Sequence, residues 1–84
     1  MRFSAMPLFY FHLREGGHVT RDEEGRELPD RRTAHAVAVM SARDIMCGEL
    51  LLGRVDLSDR IEVEDEKCER LFEVPFGEAV DFQR

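Results

Sequence analysis

Between Asp30 and Gly53 the sequence reads RRTAHAVAVMSARDIMCGELLL, the one stretch that keeps a helical period over several turns. Asp30 can accept hydrogen bonds from the first free N–H groups of a helix. Pro29 sets the entry, and Gly53 can take the left-handed conformation that closes the last turn. The pattern predicts a helix from Arg31 to about Leu52. At about 100° per residue, Ala34, Val37, Ala38, Ser41, Ile45, Gly48 and Leu52 fall on one stripe, whose small side chains let the helix lie close against a sheet. Val39, Met46 and Leu50 form a second apolar stripe, with Arg43 completing the row. A lone helix on a sheet needs one apolar face, not two. Either loop residues such as Val55 and Leu57 fold back over the second stripe, or another subunit covers it.

The flanking segments read as strands. PLFYFHL (7–13) is apolar at both parities: Phe9, Phe11 and Leu13 point one way, Leu8, Tyr10 and His12 the other. Gly16-Gly17 marks a hairpin, and HVTRD returns as a shorter strand. A three-residue loop with a bulge, the form expected here, places Val19 beside Phe9, Phe11 and Leu13; a two-residue loop places it with His12. RIEVED (60–65) alternates Ile61 and Val63 with charges. ERLFEVPF (69–76) sets Phe72, Val74 and Phe76 on one face, with Pro75 at the strand's end or outer side. The expected fold is α+β, in the order β-β-α-β-β: a four-stranded sheet with one long helix packed on one face. Leu8, Tyr10 and Leu71 then line an uncovered, apolar sheet face, which is a partner surface or a liability.

Composition narrows the function classes. Eighty-four residues allow one thin core. A net charge of -6, with acids interleaved among the twelve Lys and Arg, argues against a nucleic-acid binder. No stretch approaches the ~20 apolar residues of a membrane span. The start, MRFSAMPLFYFHL, lacks the small-residue cleavage site of a signal peptide, so a cytoplasmic protein without membrane contact is expected. Cys47 and Cys68 stand far from any CxxC spacing and are expected to stay reduced.

RDEEGRELPD (21–30), with five carboxylates, looks most like a site. An EF-hand calcium loop needs acids at alternating positions and a glycine at the sixth place. Here Asp22, Glu23 and Glu24 are consecutive, so their side chains diverge, and Gly25 sits at the fourth. A turn and a helix start account for every residue type: Gly25 for the turn, Pro29 for the entry, Asp30 for the cap. His12 and Asp22 are the best acid–base candidates, since a neighbouring carboxylate would hold the imidazole. No HxxxH or HxH spacing points to zinc. Ser41, Ser58 and Cys47 have no evident base, and GELLLGR lacks the Lys-Ser/Thr pair of a P-loop. No catalytic residue, metal or cofactor is expected.

Taken in order, PLFYFHLREGG, RDEEGRELPD, TAHAVAVMSARDIM, GRVDLSDRIEVED and LFEVPFGEAV resemble a family of short bacterial proteins of unknown function. Its members open with an aromatic-rich Phe-His strand, carry D-x-x-G-x-E-L-x-D and end with a V-P-F strand. The likeness runs over about residues 6–80. It implies that Met6 is the usual start, with 1–5 as an extension, 6–80 as a single domain and 81–84 as a tail. It implies no activity and offers no catalytic residues.

The expectation is therefore a module that works by association, as a homodimer and with a possible protein partner. Leu8, Tyr10, Val39, Met46 and Leu50 are its expected interface, with Arg43 as a charged contact. The alternatives are a nucleic-acid-associated regulatory module using the arginine-bearing helix face, and a metal or hydrolytic site at His12 and Asp22.

Overall fold

The computed structural model describes residues 6–83. In chain order the elements are β1 (Leu8–Glu15), β2 (His18–Thr20), β3 (Arg26–Glu27), α1 (Arg31–Leu51), β4 (Arg60–Glu64) and β5 (Arg70–Pro75), followed by a 3-10 turn at Phe76–Glu78. The fold is α+β. The antiparallel sheet runs β2-β1-β4-β5, and the two-residue β3 pairs with the start of β1, adding a fifth short strand to the four expected. The extension at residues 1–5 and the last residue of the tail lie outside the described residues.

The helix ends follow from local chemistry. Asp30 is extended and its Oδ1 accepts the Thr33 N–H at 2.7 Å. At the other end Gly53 takes φ +91. Its N–H donates to the Leu50 carbonyl and that of Arg54 to the Glu49 carbonyl, the crossed pair of bonds of a Schellman ending.

The first hairpin differs from the expectation. Glu15 faces His18 and Arg14 faces Val19, so the loop is Gly16-Gly17 alone and Val19 joins the side of His12, not that of Phe9. Gly16 takes φ +59, which lets two residues join twisted strands without a bulge. The bulge lies elsewhere, between β4 and β5, where Leu71 is the extra residue and packs against the core.

The core joins Phe9, Ile61, Val63, Val74 and Phe76 to the helix row Ala34, Ala38, Ala42 and Met46. Steps of four residues turn about 40° round the helix each time, so this row starts on the first predicted stripe and ends on the second. Met46, expected at an interface, is therefore a core residue, while Leu52, expected against the sheet, is 84% exposed. Val39 and Val55 also pack against the core, so the loop does fold back over part of the second stripe.

The outer sheet face is not apolar, and this corrects the central expectation. Leu8 and Tyr10 are half-buried. Beyond them the face carries His12 and Arg14 of β1, Arg60, Glu62 and Glu64 of β4, and Glu73 of β5, in register across the strands. Glu62 at its centre accepts Arg14 Nε at 2.8 Å and Arg60 Nε at 3.3 Å, and lies 3.2 Å from Arg70. This side of the sheet can face water without a partner.

Candidate functional site

Among the described residues, several places gather side chains in ways that chemistry could use. The first is the expected pair His12 and Asp22. On one edge of β1, β2 reaches only Leu13–Glu15 and β3 only Leu8 and Phe9, so Phe11 has no strand partner there. Asp22 fills the gap: its Oδ2 accepts the Phe11 N–H at 3.1 Å. Its Oδ1 accepts the N–H groups of Glu24 and Gly25. Gly25 takes φ +74, and a Cβ there would lie 2.8 Å from Tyr10 Cε1, so a larger residue would strain the backbone and displace the Tyr10 ring. Burial works against the Asp22 charge, but the donors Phe11, Gly25 and Glu24 together outweigh it and hold the carboxyl below its ordinary value. The acid-rich segment is thus a turn that completes a strand edge.

His12 meets Asp22 through the backbone, not the carboxylate. Its Nδ1 accepts the Asp22 N–H at 3.0 Å, and its Nε2 lies 2.9 Å from Glu64 Oε1. A donor into Nδ1 leaves the ring proton on Nε2, to be donated to Glu64; this tautomer is assigned from the hydrogen-bond network. The lone pair that a general base would use is already engaged. The carboxylate partner of His12 is therefore Glu64, 52 residues away in sequence.

The second place carries no sequence motif. Glu15 at the end of β1, Glu49 in the last turn of α1 and Asp59 before β4 bring carboxylate oxygens within 4.8 Å of one another. They line a depression of about 490 Å³ with Leu52, Arg54 and Asp56. Asp59 is buried and accepts the Gly16 N–H at 3.3 Å. Glu49 Oε1 is buried and has no hydrogen-bond partner. Burial, then the Glu15, Asp59 and Asp56 carboxylates, push Glu49 above its ordinary value. Burial and the Asp56 charge do the same to Asp59. Oxygens within 4.8 Å of one another are spaced to hold a divalent cation. Only acids at the ends of three elements hint at this in the sequence, and such acids are common.

A carboxyl whose value is raised by folding disfavours the fold once ionised. That penalty is absent below the ordinary 4.5 of Glu49 and in full force above its raised value. Glu49→Gln removes the charge and offers N–H donors to Glu15 and Asp59. Urea melts with chelator present are expected to show a gain of about 0.5 kcal/mol at pH 7, the scale of a solvent-screened charge pair. The gain should vanish at acid pH, and an unchanged or lower stability at pH 7 would refute the repulsion.

The third place is apolar. Leu50, 67% exposed, and Phe82, 61% exposed, flank a groove of about 360 Å³ that Leu57 and Val80 complete. Arg43, expected as an interface contact, borders it, and its Nε donates to the Ala79 carbonyl at 2.6 Å, which ties the helix to the C-terminal segment. Arg31 donates to the Leu71 carbonyl and lies over the Phe72 ring, so two arginines of the helix are engaged within the chain. Of the expected interface residues, Leu50 alone is widely exposed and apolar. Val80 and Phe82 lie outside the interface expected from the sequence, and their only signal there is apolar character beside the polar ends of the tail.

The model of a family described as a domain of unknown function (DUF6894) matches residues 8–77. The chain belongs to this family. The match spans β1 to the 3-10 turn and stops before Val80 and Phe82. No curated protein and no solved structure matches the chain. Among the described residues, no helix is long and apolar enough to cross a membrane.

Proposed function

We propose that this DUF6894 protein is a cytoplasmic self-association module without catalytic activity, whose interface is the groove between the end of α1 and the C-terminal segment. The observation that carries the proposal is the exposure of Leu50, Leu57, Val80 and Phe82 around one groove. Exposed apolar side chains gathered round one groove are the kind of surface that a partner covers. A second copy suits it because ridge and groove lie side by side: Leu51 is 86% exposed next to Leu50. In a two-fold dimer each copy can then seat its leucine ridge in the other's groove. The free, exposed thiols Cys47 and Cys68 fit a reducing compartment.

Sedimentation equilibrium from roughly 1 µM to 0.5 mM tests the reading, a range that spans association free energies of about 4–8 kcal/mol. Wild type is expected to move from monomer to dimer across it, and Leu50→Glu, at an exposed position, to remain a folded monomer. A wild-type monomer at every concentration would remove the proposal.

A further inference from the structure

On the outer sheet face Arg14 of β1 stands directly opposite Arg60 of β4. Side chains opposed in this way have Cβ atoms about 5 Å apart, and like charges there repel. Their row continues to Val19 of β2 and Pro75 of β5, so no acid shares it. Compensation comes from the next row. Glu62, 4% exposed, takes Arg14 Nε and Arg60 Nε on the same oxygen, with Arg70 beside them. Glu73 lies 3.1 Å from Arg60 Nε and 3.5 Å from Arg70. Three guanidiniums against two carboxylates leave one local positive charge in excess, on a chain whose net charge is -6. Glu15 and Asp59, the sequence neighbours of the two arginines, turn to the helix side. His12, Arg21, Asp22 and Glu64 form their own network at the other end of the face.

Arg14 and Arg60 reach these carboxylates through Nε, which leaves their terminal NH2 groups to water or to a ligand. Each side chain is about one-third exposed, at 32% and 34%. Because Glu62 already holds both, little side-chain freedom remains to be lost when an anion arrives. Planar guanidinium forks match the geometry of a phosphate, and two of them in one row suit a diphosphate better than a single charge.

We propose that Arg14 and Arg60 form a clamp for the phosphate groups of a small molecule, with Glu62 as their positioning residue. This surface is separate from the self-association groove and does not depend on it.

The test is titration of inorganic pyrophosphate into the full chain at constant ionic strength, with chelator present, following the arginine Nε–Hε resonances by NMR. Saturable shifts are expected at Arg14 and Arg60, with Kd on the order of 1 mM. Binding is expected to be at least ~10-fold weaker in Arg14→Gln and in Arg60→Gln, and unchanged in Arg32→Gln on the exposed helix surface. Each variant's amide spectrum reports whether it is folded. Arg14→Lys keeps the charge and loses the fork, so it replaces Arg14→Gln if that variant unfolds, with the same weakening expected. Shifts that do not saturate, or that persist in the Arg14 and Arg60 variants, overturn the clamp. A second arm uses a single-stranded oligonucleotide, and binding there without binding of pyrophosphate overturns the small-molecule reading in favour of nucleic acid.

Discussion

Replacing Phe76 by alanine is expected to destabilise the protein by about 3–5 kcal/mol, the range for a buried phenylalanine whose cavity cannot collapse. Among the described residues, Phe76 is the largest fully buried side chain. It sits at the joint where β5 ends and the 3-10 turn begins, and its N–H donates to the Asp59 carbonyl at 2.8 Å. Backbone on both sides of the ring is thereby held in place, so the walls have little freedom to close over the void. A domain of this length has a total stability of roughly 4–12 kcal/mol, and the loss is a large part of it. Urea denaturation followed by circular dichroism should show a lower midpoint with an unchanged slope. Phe82→Ala, compared at a concentration where the chain is monomeric, is the matched control, since that ring is exposed in the single chain. It should change stability by less than about 0.5 kcal/mol. A small effect at Phe76 would mean that the turn is not part of the core.

The second large effect is expected at Glu62, where alanine should cost about 2–3 kcal/mol. Breaking a fully buried ion pair typically costs more, about 3–5 kcal/mol, but Arg14, Arg60 and Arg70 are one-third to one-half exposed and can turn toward water. What remains is the repulsion between Arg14 and Arg60 across the strands, with no carboxylate held between them. Burial alone would raise the Glu62 carboxyl, but the Arg14 and Arg60 hydrogen bonds and the Arg70 charge outweigh it and hold the group below its ordinary 4.5. The sign is opposite to that of Glu49. The Glu62 contribution is fully present above pH 4.5 and is lost as the pH falls through the lowered value of the folded protein. Wild type should therefore lose stability on that acid limb, and Glu62→Ala should lose less of it. Equal acid limbs in the two proteins would show that the charges of the sheet face are solvated decoration.

The outer sheet face also explains where sequence reading stopped. Alternation in RIEVE correctly separates Ile61 and Val63 from the charged residues, but it says nothing of what Glu62 meets. Its partners Arg14 and Arg70 come from two other strands, and register alone decides that Arg14 stands opposite Arg60. The same holds for Glu15, Glu49 and Asp59, which share no spacing and meet because three elements end at one place. By its spacing alone the second helix stripe is a surplus apolar face. Its division into a buried Met46 and an exposed Leu50 depends on how the helix crosses the sheet, which the alanine row sets by packing.

Asp30, Pro29 and Gly53 place the ends of the helix through bonds made within a few residues of each cap, and the twin glycines place the first hairpin. Those features depend on short-range chemistry, and the amino-acid order was sufficient for them. Loop length at Gly16-Gly17, the depth of Met46, and the meeting of charges from residues 12 to 73 were decided by the assembled fold. Each depends on register or crossing angle, and these are properties of how whole elements pack together.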